Sequence, residues 1–242
     1  MARSMHVIYL HSLAGNPGLS PALEQLTASG IEVVAPTLPG FDGTSGWEPP
    51  HDHLTWLTRV WDVLDSTGAL PCPVIGASIG GMFAAELAIF RPESVTALSL
   101  LAPLGIWAGE SPAADPYALP GAQRLPLLFA SEVPQAFEDQ YAAFGEGGDV
   151  ARYLAQVAGA SLVWPIPDRD LDTRIHRIRQ RNRILWGGRD RIAPVEVAMR
   201  WSSVSEPTII ESAGHLLEWD EPDAVGGALL EFLDEERQRP AV

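Results

Sequence analysis

The sequence predicts an α/β fold, a mostly parallel sheet with helices on both faces, interrupted by one long insertion. Three observations predict it. Short apolar, β-prone runs alternate with helical patterns over residues 6–101 and again over residues 171–236, the rhythm of a parallel sheet covered on both sides. Between them, residues 103–168 are proline-rich and without a convincing strand; so long a connection should carry structure of its own. Finally, Gly76-Ala77-Ser78-Ile79-Gly80 joins an apolar β-prone run to an apolar helical one, matching G-x-S-x-G, where a serine occupies a strained strand-to-helix turn.

The elements follow in order. Residues 6–10 are apolar and β-prone, as expected of a buried parallel strand. His11-Ser12-Leu13-Ala14-Gly15-Asn16-Pro17-Gly18 then forms a loop of small residues and turn formers. Residues 21–29 read as a helix stopped by Gly30, and residues 31–35 as the next strand. The stretch from Pro36 to Gly46, including Pro39-Gly40-Phe41 and Asp42-Gly43-Thr44-Ser45-Gly46, holds too much proline and glycine for regular structure. Residues 54–64 form an amphipathic helix, 73–77 the strand before Ser78, 79–90 the helix after it, and 95–101 another strand. Beyond the insertion come a helix at 171–180, a strand at 183–186, a helix at 194–201, a strand at 207–211 and a last helix at 223–236. The expected organisation is a core in two parts, 1–102 and 169–242, with a helical insertion at 103–168.

Composition narrows the function. Of 242 residues, 46% are hydrophobic and 19% charged, as in an ordinary globular chain with a sizeable core. The net charge of −15, with arginine as the only Lys/Arg cation, argues against nucleic acid or an anionic membrane surface as partner. One cysteine, Cys72, allows no internal disulfide and no thiolate cluster, and reads as a small apolar residue. No apolar run reaches the roughly 20 residues of a membrane span, and the N-terminus shows no cleavage signal. The expectation is a cytoplasmic protein, monomer or homodimer, acting on a small molecule without metal or cofactor. His6, His51, His53 and His176 lack metal-ligand spacing, and the arginines at 174, 177, 179, 181 and 183 should pair with local carboxylates.

Chemistry ties Ser78 to two later loops. Gly76 and Gly80 lack the Cβ atoms that would collide in so tight a turn, and the helix after Ser78 points its N-terminus at the site. A serine hydroxyl needs a base to take its proton, and histidine titrates near neutral pH. The histidine in turn needs a carboxylate to set its tautomer. Trp186-Gly187-Gly188-Arg189-Asp190 and Ala213-Gly214-His215 each follow a strand, where groups of a parallel sheet converge on one crevice. The candidate catalytic residues are therefore Ser78, Asp190 and His215, in the order Ser…Asp…His. Asp170 and Asp172 are competitors for the acid.

On His11-Ser12-Leu13-Ala14-Gly15, Pro39-Gly40-Phe41, Gly76-Ala77-Ser78-Ile79-Gly80, Trp186-Gly187-Gly188-Arg189-Asp190 and Ala213-Gly214-His215, the chain resembles the α/β-hydrolase family over essentially its whole length. The resemblance implies about six parallel strands, beginning at the family's third strand and without its opening hairpin. It makes the insertion a cap over the carboxyl ends of the strands. It also implies an oxyanion hole from the backbone N–H groups of Leu13 and Ile79, although His11-Ser12 stands where the family often has His-Gly. Among the cap aromatics, Trp107, Phe137, Tyr141 and Trp164 are candidate substrate contacts, while His11 should shape its loop. The implied activity is cofactor-free hydrolysis through an acyl-enzyme, first of an ester of a small or medium apolar acid. The alternatives are carbon–carbon bond hydrolysis of the meta-cleavage product type, suggested by Trp219 after His215, and a non-catalytic ligand-binding relative.

Overall fold

Apolar strands that pair only in parallel must have both faces covered, and the chain does this with its helices. In a computed structural model, residues 5–41, 52–111, 114–164 and 168–238 are described; Asp42-Gly43-Thr44-Ser45-Gly46 and His51 lie outside them. Six parallel strands form one sheet: β1 (His6–Leu10), β2 (Glu32–Val34), β3 (Cys72–Ala77), β4 (Val95–Leu101), β5 (Arg181–Gly187) and β6 (Thr208–Ile210), in the order β2-β1-β3-β4-β5-β6. All of β3 is buried, whereas the edge strands β2 and β6 are partly exposed, so hydrophobicity peaks at the sheet centre.

The helices are α1 (Pro21–Ala28), α2 (His53–Ser66), α3 (Ile79–Phe90), α4 (Gly121–Arg124), α5 (Gln135–Ala142), α6 (Gly148–Val163), α7 (Val195–Ala198), α8 (Leu217–Asp220) and α9 (Pro222–Arg237). Side chains start the first two: the Ser20 hydroxyl caps α1, and Asp52 accepts from the Thr55 amide at 2.8 Å to cap α2. Parallel crossovers are right-handed, and the chain reverses its direction of travel after β2, so α1 and α2 fall on opposite faces. α9 and α8 join α1 on one face, and α3 joins α2 on the other.

Between β4 and β5 lie α4, α5 and α6 with short 3-10 turns, and the only bridge among the described residues there is Gly105 with Asp168. The helix expected over residues 171–180 is instead two 3-10 turns, Leu171–Thr173 and Ile175–Arg177. Leu171 and Ile175 are both buried, which satisfies the apolar spacing, but Arg174 leaves helical geometry at φ −132° and turns its guanidinium to Glu86. The helix expected at 194–201 likewise tightens after four residues into a 3-10 turn, Met199–Ser203.

Of the arginine cluster, Arg174 pairs with Glu86, Arg183 with Glu231 at 2.7 Å, and Arg181 with Glu235. Glu86 is fully buried on α3 and also takes a hydrogen bond from His53 Nε2 at 3.2 Å. Burial alone would raise its pKa, but the bonds from His53 and Arg174 outweigh it and hold the carboxyl below its ordinary value. No helix among the described residues is long and apolar enough to cross a membrane.

Candidate active site

Ser78 sits where β3 turns into α3, and its backbone is forced there. Its φ of 56° and ψ of −118° are strained for a residue with a Cβ. The turn is held from both sides: Ser78 N–H donates to Leu101 O at 2.9 Å, and Ser78 O accepts from the amides of Met82 at 3.1 Å and Leu104 at 3.0 Å. Glycine at position 80 is a steric necessity, since a Cβ there would lie 2.1 Å from Leu10 O. The hydroxyl does not cap its own helix, which leaves it for a different partner.

That partner is His215. The Ser78 hydroxyl and His215 Nε2 are 2.8 Å apart, and His215 Nδ1 donates to Asp190 Oδ2 at 2.7 Å. A carboxylate only accepts, so Nδ1 carries the proton and Nε2 is the acceptor facing Ser78. Asp190 is itself oriented: its Oδ1 accepts from the amides of Ile192 at 2.8 Å and Ala193 at 2.9 Å. The loops bearing Asp190 and His215 can meet because position 187 is glycine; a Cβ there would fall 2.0 Å from Gly214 O. The side chains of Asp190 and His215 are both fully buried, as is Ser78. Asp170 and Asp172, the competing acids, take no part in this chain of bonds: Asp170 is the left-handed residue that opens the 3-10 turn containing Asp172.

The loop after β1 is shaped by His11. Burial lowers its pKa to about 4, so it is neutral at pH 7. Its Nδ1 donates to Ser12 O at 2.9 Å, and its Nε2 accepts from the Leu38 amide at 2.9 Å. The Ala14 amide donates to Ser12 Oγ and the Gly15 amide to Ser12 O. Among the described residues, no acceptor meets the amides of Leu13 or Ile79.

A cavity of about 290 Å³ has Leu13, Leu128, Phe137 and Tyr141 among its walls, while Ser78, Asp190 and His215 are not on its lining. Leu128 connects it to the histidine, because its carbonyl accepts from the Leu216 amide at 2.9 Å. Of the expected aromatic contacts, Phe137 and Tyr141 do line the cavity. Trp164 does not. It is 60% exposed at the end of α6, because the helix turns its Leu162 and Val163 inward and leaves the next position outside. Trp107 is half-buried just after β4 and is absent from the cavity wall.

Three polar groups went unnoticed in the sequence. Glu218 is fully buried, accepts from the Tyr9 hydroxyl at 3.1 Å, and has a pKa pushed up by burial to about 7. Asp220 Oδ2 accepts from the amides of Gly214 at 2.7 Å and Ala130 at 2.8 Å. Arg124 borders the cavity. The carboxylates three and five positions after His215 were the available signal for the first two. Cys72 is buried and its thiol is pushed up to about 11, as suits an inert core residue.

A profile of the Alpha/beta hydrolase family matches residues 7–228. This chain belongs to that family. Among curated relatives, this α/β hydrolase is 22% identical over 253 residues to the 2-hydroxy-6-oxo-6-phenylhexa-2,4-dienoate hydrolase of Burkholderia cepacia, a match covering 94% of this chain and 87% of the relative. Among solved structures, it resembles the enzyme of the same name from Rhodococcus sp. strain RHA1, with TM-score 0.70 and 20% identity, covering 96% of this chain and 91% of that one. It also resembles an esterase from Exiguobacterium antarcticum, with TM-score 0.71 and 17% identity, covering 97% of this chain and 93% of that one. At such identities the structural likeness establishes the shared fold.

Proposed function

We infer that this α/β hydrolase is a cofactor-independent serine hydrolase in which Ser78 is the nucleophile, His215 the general base and Asp190 the orienting acid. One observation carries the reading: the continuous chain Ser78 Oγ, His215 Nε2, His215 Nδ1 and Asp190 Oδ2, with contacts of 2.8 and 2.7 Å, beneath a strained serine. As Ser78 Oγ attacks a carbonyl carbon, its proton passes to His215 Nε2, and the imidazolium so formed is stabilised by Asp190. The oxyanion is held by the amides of Leu13 and Ile79, which the Ser12 turn and the start of α3 leave without other acceptors. His215 then returns its proton to the leaving group, and water repeats the sequence to release the acid.

The proposed substrate is an ester with a small or medium apolar acyl group, accommodated by the cavity walled by Leu13, Leu128 and Phe137. The β4–β5 connection supplies most of that wall and is the proposed cap. A second reading, hydrolysis of a carbon–carbon bond in a dienoate, is favoured by the printed activity of the Burkholderia cepacia relative. The two are separated by measuring turnover of chromogenic esters of rising acyl length beside a dienone. Ser78→Ala should remain folded and lose roughly 10⁴- to 10⁶-fold of activity, because triad members act as a unit. A folded Ser78→Ala variant that keeps a tenth of the activity, or a wild-type protein that resists fluorophosphonate labelling, would remove Ser78 from the mechanism.

A further inference from the structure

Building on Ser78 as nucleophile, we propose that Arg124 makes the cavity a subsite for substrates whose apolar arm ends in a carboxylate. Two guanidinium groups border the cavity, and they differ in how their charge is met. Arg152 is neutralised: its Nη1 donates to Glu138 Oε1 at 3.1 Å, its Nη2 donates to Oε2, and it lies 4.4 Å from the centre of the Tyr141 ring. Arg124 also lies over a ring, 5.2 Å from the centre of Tyr117, but among the described residues it has no such counter-charge. Its Nε donates to Pro116 O at 2.9 Å, its Nη2 to Leu119 O at 3.1 Å and its Nη1 to Gln156 Oε1 at 2.7 Å.

All three acceptors are neutral. Among the described residues, no carboxylate lies within ion-pair distance of Arg124; Asp115 instead accepts from the Tyr117 amide at 2.8 Å. The three bonds fix the fork and leave part of its five-donor capacity for a ligand. The Tyr117 ring lies on the same wall, while its buried hydroxyl, without a hydrogen-bond partner among the described residues, packs against Gly159.

The rest of that wall, Leu13, Leu125, Leu128, Val133 and Phe137, is apolar. A partly desolvated cation beside it attracts an anion more strongly than the same cation in water, and the guanidinium fork matches a carboxylate in geometry as well as charge. The chain's net charge of −15 repels anions at long range, so selection has to come from this contact. A substrate arm that is apolar in the middle and anionic at its end satisfies both kinds of wall. A fully apolar arm would leave Arg124 facing hydrocarbon.

The test compares p-nitrophenyl monoesters of glutaric, adipic and suberic acid with the same compounds methyl-capped at the free carboxyl. The wild-type protein should favour the free carboxylate by tenfold or more in kcat/KM at one of these lengths. Arg124→Gln, which can still donate to the carbonyls of Pro116 and Leu119, should bring that ratio close to one, and Arg124→Lys should restore part of it. A wild-type preference for the capped esters, or a ratio unmoved by Arg124→Gln, overturns the subsite.

Binding separates this from the catalytic reading. Monomethyl adipate titrated calorimetrically into Ser78→Ala should bind at least tenfold more tightly than into Ser78→Ala carrying Arg124→Gln, whether or not any ester is turned over. Equal affinity overturns the subsite. Absence of turnover with this difference intact overturns the hydrolase instead. If Arg124→Gln proves unfolded by circular dichroism, the wild-type charge preference and the Arg124→Lys variant decide.

Discussion

Asp190 is the residue on which the proposed triad turns, because it fixes the proton on the far side of His215 from Ser78. Asp190→Asn should keep the loop, since an amide oxygen can still accept from Ile192 and Ala193, but it presents the imidazole with a donor or a weaker acceptor. A fall of about 10⁴ in kcat is the expected size of that tautomer error. Asp170→Asn and Asp172→Asn should be close to wild type. Steady-state kinetics of the three variants decide the assignment, and a crippled Asp172→Asn beside an active Asp190→Asn would reverse it.

Glu218 behaves differently. Burial, partly offset by the Tyr9 hydroxyl and by His215, lifts its carboxyl to about 7. That is above the ~4.3 of an unfolded glutamate, so the folded state binds this proton more tightly. Its stabilising contribution is complete below the unfolded value and is lost as pH rises through 7. Glu218→Gln removes that loss, so melting temperatures should show the variant gaining on wild type between pH 5 and pH 8. A constant difference across that range would mean Glu218 does not titrate there.

At the scale of elements, the β4–β5 connection divides its aromatics between two jobs. Phe137 on α5 is 1% exposed and meets Phe129, Tyr141 and Trp219 with ring centroids 5.1 to 5.3 Å apart. Phe137→Ala should therefore cost about 3–5 kcal/mol by chemical denaturation and also shift the preferred acyl length. Trp164→Ala, at 60% exposure, should stay within about 0.5 kcal/mol and leave the acyl preference unchanged. The sequence could show that this stretch was a helical insertion, because its prolines and missing strands are local features. It could not show which aromatics face inward, because that depends on how α5 and α6 dock on the core. The same limit explains residues 171–180: Leu171 and Ile175 have helical spacing, but the pull of Glu86 on Arg174 is a contact across 88 positions. That Ser78, Asp190 and His215 would come together was legible because the proposed chemistry calls for particular residue types at strand ends, and the strands could be read from their apolar runs.

Across the whole molecule, Glu86 joins three parts of one face: α3, which carries it, α2 through His53, and the turns after the insertion through Arg174. Removing Arg174 leaves a buried carboxylate with one partner. Arg174→Ala should then destabilise the fold by roughly 3 kcal/mol, at the lower end for a broken buried pair because Arg174 keeps 21% of its side chain in solvent. The depressed pKa of Glu86 sets the pH sign opposite to that of Glu218: its contribution is present above the ordinary glutamate value and is lost as pH falls. In denaturant titrations the gap between wild type and Arg174→Ala should therefore narrow as pH falls below the ordinary glutamate value; a gap that stays the same down to the acid unfolding of the wild type would contradict this.

Asp220 has a consequence that reaches beyond its own hydrogen bonds. A single oxygen accepts from Gly214, immediately before His215, and from Ala130, in the β4–β5 connection. Leu216, immediately after His215, is tied to Leu128 of the same segment. The residues on both flanks of the histidine are thus tied to residues 128–130. A displacement of residues 128–130 would pull on the neighbours of His215 or break one of these hydrogen bonds, so the position of the proposed base is mechanically linked to that of the β4–β5 connection.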